Sequence, residues 1–267
     1  MFAAERRALI VDLVRTRGAV SVRAIAQQVE ASEVTVRRDL AQLEEDGLLQ
    51  RQRGGAMSLS GEQVAREPTY ADKRRTAAGE KAAIARVAAS YVADGDAVVI
   101  GAGTTTMALA QELRSRNDLT VMTNSLLVAE VFSDSAGVEV MLTGGLLRGS
   151  ILAMVGPAAE ASLSGLRADL TFLSGNGLSA DNGLSTPNPM VAAIDRALAA
   201  AARQVVVVAD HTKFERDSVV QTVPTSHLHH LVTDPQAPPE ELARMRSRGI
   251  AVRIAEVDGA GSLSRDR

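Results

Sequence analysis

An α/β fold in two parts is expected: an N-terminal winged helix-turn-helix, then a larger α/β domain on a mostly parallel sheet. Three features point to it. Residues 1–60 run in helical rhythm and close on a basic, glycine-turned hairpin. From Gly79 onward, short apolar runs alternate with helix-length segments, the pattern of strands buried on both faces. Charge divides along the same line, net +1 over residues 1–60 and −4 over the rest, which favours separate partners for the two parts. The expected limits are a small helical head at 1–57, a linker at 58–76, the second domain at 77–256 and a frayed tail at 257–267.

In the head, Leu9, Ile10, Leu13 and Val14 share one face of a first helix that Gly18 ends. Val22, Ile25, Ala26 and Val29 follow at helical spacing. Ser32 is a good N-cap for a third helix, with Glu33 favourable in its first turn. That helix buries Val36, Leu40 and Leu43 and stops at Asp46-Gly47. Thr35, Arg38 and Gln42 then turn away from the buried stripe, with Arg37 on its flank. Leu48–Arg53 alternates weakly, and Gly54-Gly55 supplies a tight turn. Such a helix fits the DNA major groove, where an arginine bidentate to guanine discriminates by about 1–3 kcal/mol. Arg51 and Arg53 would reach phosphate or the adjacent minor groove, and Ser21 and Ser32 would donate to phosphates. The plainer alternative is a solvated, arginine-studded helix face.

Ser58–Ala65 is polar and contains Gly and Ser, as a linker would. Beyond it, Ile84, Val87, Ala88, Tyr91 and Val92 form one helical stripe. Apolar runs follow at Ala97–Ile100, Leu119–Met122, Val138–Leu142, Leu170–Leu173, Gln204–Ala209, Leu231–Val232 and Ile250–Ile254. What comes after five of them is informative: Gly101-Ala102-Gly103-Thr104-Thr105-Thr106, Thr123-Asn124-Ser125, Thr143-Gly144-Gly145, Ser174-Gly175-Asn176-Gly177 and Asp210-His211-Thr212-Lys213. In an open parallel sheet all five sit at the carboxyl ends of strands, where ligands bind. Glycines admit close backbone approach, hydroxyls donate, and helix N-termini favour anions. A small polyol carrying a phosphate is the simplest ligand, with Lys213 as its counter-charge and Asp210 as a polyol acceptor. Any one such turn is more often a cap. Pro235–Glu241 reads as a turn into a last helix.

Composition narrows the chemistry. The chain has 267 residues and no cysteine, so disulfides, thiolate metal sites and a cysteine nucleophile are excluded. Aromatics are 2% of residues with no tryptophan, against base stacking on single strands. Arginines number 26 and lysines three, read as a compositional bias. No Walker A sequence or dinucleotide fingerprint is present. The apolar run Val205–Ala209 is too short for a membrane span, and Met1–Val14 lacks the apolar core of a signal peptide, so a cytoplasmic protein is expected. His227-Leu228-His229-His230 reads as a polar strand edge. Asp94 and Asp96 precede their strand and lie at the wrong end of the sheet for catalysis. Asp210 with His211 sits at the ligand-binding end, but His211 is read as structural. No catalytic residue, metal or cofactor is expected.

Ser32-Glu33-Val34-Thr35-Val36-Arg37-Arg38-Asp39-Leu40, then Leu43-Glu44, Gly47 and Arg53-Gly54-Gly55-Ala56, resembles the N-terminal signature of the DeoR/GlpR family of bacterial transcriptional regulators. Gly103–Thr106, Thr123–Ser125, Thr143–Gly145, Val155-Gly156-Pro157 and Ala209–Phe214 resemble its effector domain, and the likeness extends to about Val232. The resemblance implies a third helix in the major groove with Thr35, Arg37 and Arg38 as DNA contacts, and Asp39 holding an arginine in place. It implies an effector domain similar to ribose-phosphate isomerases that senses a phosphorylated sugar or related metabolite. Thr104–Thr106 and Lys213 would then contact phosphate, with Asn124 and Asn176 near the polyol. Glu67-Pro68-Thr69-Tyr70 and Arg74 match the segment leading into that domain, where Tyr70 and Arg74 are read as packing. Family members commonly carry an acid at Gly101, a glutamate at Val191 and a lysine at Asp195, so either the ligand's sugar portion is atypical or this member binds its effector weakly. The expected function is a repressor of a carbohydrate-use operon, released from double-stranded DNA by metabolite and acting as a dimer or higher homo-oligomer on paired half-sites. The rivals are an isomerase with an accessory DNA-binding domain, which requires a positioned acid–base pair, and a regulator whose second domain serves only assembly.

Overall fold

The computed structural model of the chain describes residues 3–17, 19–46, 48–52, 55–57, 69–214 and 217–257. Arg53, Gly18, Gly47, Gly54, residues 58–68 of the expected linker and residues 258–267 of the expected tail lie outside them. The chain forms two compact units, Met1–Arg66 and Glu67–Arg267.

The first unit runs α1 (Ala3–Arg17), β1 (Ala19–Ser21), α2 (Val22–Gln28), α3 (Glu33–Glu45), β2 (Gln50–Gln52) and β3 (Gly55–Met57), with the strands in the antiparallel order β1-β3-β2. Ile10, Val14, Val22, Ile25, Val36, Leu40, Leu43 and Leu49 form its core. Leu9 departs from expectation: it is 47% exposed, while Ile10 and Val14 are buried and Val11 and Leu13 pack partly against the core. β1 was not legible in the sequence; three residues leave too short a pattern. Gly55 pairs with Ser21, and a Cβ there would collide with the main chain of Val20, so only glycine lets β3 close on β1.

Serines open both later helices. Ser21 accepts from the Ala24 amide at 3.2 Å, and Ser32 from the Thr35 amide at 3.2 Å. Ser32→Ala is expected to lower this unit's stability by about 1 kcal/mol, read as a shifted urea midpoint with an unchanged far-UV spectrum in buffer.

The second unit opens with α4 (Tyr70–Arg75) and α5 (Ala78–Ala89), then β4 (Ala97–Ile100), α6 (Thr104–Leu113), β5 (Leu119–Thr123), α7 (Leu126–Val131) and β6 (Val138–Leu142). β7 (Leu146–Arg148), β8 (Ala153–Val155), α8 (Pro157–Ser162), β9 (Ala168–Leu173), β10 (Gly177–Ser179), β11 (Gly183–Thr186) and α9 (Pro189–Ala200) follow. It ends with β12 (Ala202–Val208), β13 (Val220–Val223), β14 (His230–Thr233), α10 (Pro239–Ser247) and β15 (Ala251–Ile254). Seven strands form one wholly parallel sheet in the order β15-β14-β12-β9-β4-β5-β6. Alternation along each strand feeds two cores. Val98, Ile100, Phe172 and Val206 pack with α5 and α6 on one face, and Val99, Leu173, Val207 and Leu231 with α9 and α10 on the other.

β7–β8 and β10-β11-β13 are small antiparallel additions too short to show a period in the sequence. The helical stripe expected through Val92 stops earlier, since α5 ends at Ala89 and Tyr91 and Val92 lie in the turn after it. Among the described residues, no helix is long and apolar enough to cross a membrane. The order of strands reverses at β4, which leads to β5 and β6 on one side and neighbours β9 and β12 on the other. Beyond the carboxyl ends of those strands lies the point where parallel sheets leave a crevice.

Candidate functional site

Two surfaces carry chemistry, one in each unit. On α3, burial of Val36, Leu40 and Leu43 leaves Arg37 and Arg38 exposed and Thr35 partly so. Arg37 lies 3.6 Å from Glu33, an exposed pair one helical turn back. Arg51 donates its amide to Glu44 at 2.8 Å, and its guanidinium lies 3.9 Å from the same carboxylate. Among the described residues, Arg38 pairs with no carboxylate. Ser32 and Thr35 share a hydroxyl hydrogen bond of 2.9 Å beside it.

Asp39, only 7% exposed, points the other way. It accepts from Arg6 Nε at 2.6 Å and Nη2 at 3.3 Å, with Arg7 at 3.8 Å. That hydrogen bond holds the Arg6 guanidinium above its ordinary pKa. The arginine secured by Asp39 therefore belongs to α1, and the pair fastens α1 to α3.

In the second unit, a cleft opens over the carboxyl ends of β4, β5, β9 and the β12 loop. Five residues expected from the sequence to bind an effector line it: Gly103, Thr104, Asn124, Asn176 and Lys213. Asn124 is a latch. Its Oδ1 accepts from the Ala102 amide at 3.0 Å and its Nδ2 donates to the Met154 carbonyl at 3.1 Å, joining the loop after β4 to β8.

The other expected residues shape the walls. Thr106 donates to the Gly103 carbonyl at 3.1 Å within the first turn of α6, and Thr105 is buried at 1% exposure. Thr123 donates to the Ile100 carbonyl at 2.6 Å, and Ser125 caps α7 at the Val128 amide. Gly144 and Gly145 take φ of 67° and 102°, and a Cβ on Gly145 would press the Val155 carbonyl, so their glycines serve the turn into β7. Asp210 is fully buried and caps the short turn His211–Lys213 by accepting from the Thr212 amide at 3.0 Å. None of these seven lines the cleft; Thr106, Thr123, Ser125 and Asp210 bond the main chain behind it, and the two glycines serve its turns. His211 bonds Asp234 at 3.1 Å, in line with a structural part.

Further residues line the cleft, and one of them, Lys73, has no role in the sequence reading. Tyr70 lines the cleft from α4, which corrects its assignment to packing; Arg74 beside it is exposed. Burial pushes the Tyr70 phenol above its ordinary pKa, and Arg74 partly opposes that. Lys73, one turn on, donates to Asn176 Oδ1 at 3.4 Å inside the cleft. Its rarity was the available signal, as one of three lysines among 29 basic residues. Ser174 and Gly175 complete the loop after β9. Val191 and Asp195, spaced one turn apart on α9, both line the cleft. Gly101 does not. A Cβ there would meet Leu173 at 2.7 Å, with Leu198 at 3.5 Å, so leucines occupy the space a larger residue would need.

Comparison with known proteins agrees with this layout. A profile described as the DeoR-like helix-turn-helix domain matches residues 6–62, and one described as the DeoR C terminal sensor domain matches residues 76–235. The chain belongs to the DeoR family. As a DeoR-family protein it is a DNA-binding transcriptional regulator. The HTH-type transcriptional regulator GlpR of Haloferax volcanii is 36% identical over 259 residues, covering 97% of this chain and 99% of that protein. The transcriptional repressor AccR of Agrobacterium fabrum is 34% identical over 231 residues, 86% and 89% of the two chains. The HTH-type transcriptional repressor CsqR of Escherichia coli is 31% identical over 246 residues, 92% and 93%. A ribose 5-phosphate isomerase from Methanocaldococcus jannaschii aligns with 52% of this chain and 55% of its own at 14% identity and a TM-score of 0.39, too remote for any functional conclusion.

Proposed function

We propose that this DeoR-family protein is a repressor whose hold on operator DNA is relaxed by a phosphorylated sugar or related polyol phosphate bound in the cleft of its second unit. The observation that carries this reading is that two lysines, Lys73 from α4 and Lys213 from the β12 loop, line one cleft whose rim includes the start of α6. Two cations and a helix start suit a phosphate, while Asn176, Ser174 and Thr104 offer hydrogen bonds to hydroxyls. Asp195 stands in the same cleft where a lysine is usual in the family, so a second phosphate at that end would meet a carboxylate. A monophosphate fits this charge pattern better than a bisphosphate.

On DNA, Arg38 would read a base edge, while Arg37, Arg51, Arg53, Ser21, Ser32 and Thr35 would position the head on the backbone. Repression is the reading that relatives named as repressors favour. Paired reading heads, and hence a homo-oligomer, would supply the interface one small head lacks.

The test is a selection of duplexes from a random pool by the full chain, followed by titration of the selected duplex with a panel of sugar monophosphates and the matching free sugars. The expected result is sequence-selective binding that at least one monophosphate weakens 5- to 150-fold, the usual range of allosteric coupling of about 1–3 kcal/mol, while its free sugar does not. Binding indifferent to every phosphate would overturn the effector half; a pool that yields no preferred sequence would overturn the whole.

A further inference from the structure

The chain holds 26 arginines and only three lysines, Lys73, Lys81 and Lys213. Two of the three line the cleft. The third, Lys81 near the start of α5, does not, yet it touches the supports of both. Lys81 is only 3% exposed, and its ammonium donates to the carbonyls of Lys73 at 2.6 Å and Thr76 at 2.5 Å, at the end of α4. On its other side, Asp210 Oδ2 lies 3.8 Å away. Among the described residues, that buried carboxylate oxygen has no hydrogen-bond partner, so the Lys81 charge is what offsets it. Asp210 in turn caps the turn that ends at Lys213.

We propose that Lys81 is a positioning residue that fixes both cleft lysines at once, holding α4 with Tyr70 and Lys73 on one side and the Asp210 turn with Lys213 on the other. This deepens the reading of the cleft as a phosphate site and rests on it for its functional meaning, though the clamp itself is structural. A compact ammonium can sit among two carbonyls and a carboxylate, where the planar fork of a guanidinium would not fit. That gives a physical reason for lysine at this place in an arginine-rich chain. α4 is also the first described element after residues 58–68, through which the chain arrives from the DNA-binding unit. With Lys81 in place, the segment that receives that linker forms one wall of the cleft, and occupancy of the cleft bears on it directly. The Tyr70 amide, donating to the Ser150 carbonyl at 2.9 Å, and Lys73, donating to Asn176 at 3.4 Å, also tie α4 to the sheet unit.

Amide hydrogen exchange of the full chain, together with binding of inorganic phosphate, tests this in Lys81→Met and in Lys81→Met/Asp210→Asn. The double variant removes the buried carboxylate that the single one strands, so it keeps the question answerable if Lys81→Met fails to fold. The expected result is a melting temperature restored in the double variant, with exchange of the Tyr70 and Lys73 amides still at least tenfold faster than in the wild type and unchanged exchange in β9 and β12. Affinity for inorganic phosphate is expected to fall at least tenfold in both variants. If α4 protection and phosphate affinity return with the melting temperature, or never change, Lys81 merely neutralises Asp210 and the proposal is wrong. If wild-type protein takes up no phosphate, the phosphate reading of the cleft fails, while the exchange arm still decides the clamp.

Discussion

Arg38→Ala is expected to erase the preference of this protein for its operator while leaving the fold of the reading head untouched. Arg38 is exposed, and no carboxylate among the described residues competes for its guanidinium. Nothing in the core of the first unit depends on it. A bidentate arginine–guanine pair contributes about 1–3 kcal/mol of discrimination, so each reading head would lose about 5- to 150-fold against a scrambled duplex. Arg51→Ala makes the contrasting control. A phosphate contact carries no sequence information, so its loss should weaken all duplexes alike and reduce the salt slope by about one. Anisotropy titrations on selected and scrambled duplexes at two salt concentrations separate the cases. An Arg38→Ala protein with wild-type selectivity would show that α3 does not read bases through this residue.

Lys213→Ala should do the reverse, preserving DNA affinity and blunting release. Lys213 stands on the Asp210-capped turn and faces the cleft with Lys73. Hydrogen bonds to a charged group are worth about 1.5–3 kcal/mol, so the monophosphate concentration for half-release should rise about 10- to 150-fold. The affinity for DNA without metabolite should stay within about twofold, since coupling is read only when ligand binds the two states unequally. Lys213 also bears on its neighbour. Burial chiefly lowers the Lys81 pKa, Asp210 opposes that, and Lys213 lowers it further. Removing Lys213 therefore makes the buried Lys81 easier to keep protonated, and the fold should not suffer. An unchanged release curve would remove Lys213 from the phosphate site.

Much of this was legible along the chain, unevenly. The third helix was readable to its cap because Ser32, Thr35 and the Val36–Leu40–Leu43 stripe act within a few residues of one another. The parallel sheet was readable because strands buried on both faces must be apolar throughout. The glycine- and hydroxyl-rich loops after the strands marked the right end of the sheet. They did not reveal which of their members face a ligand. Thr123 and Ser125 look like donors in sequence and turn out to serve the main chain, while Asn124 between them reaches the cleft. Three-residue strands such as β1, β7 and β10 lie below the length at which alternation can be seen.

Near-neighbour physics alone therefore determined the two-part architecture, the helix boundaries of the head and the exposure of Arg38, since periodicity and capping act over one or two turns. Which lysines meet was decided only in three dimensions. Strand order sets β12 beside β9 and so next but one to β4, which carries the Asp210 turn over to α4 and α5, and burial then forces Lys81 and Asp210 to satisfy each other. A charge shut away from water must find its partner wherever the topology delivers it, and that distance along the chain leaves no local pattern to read.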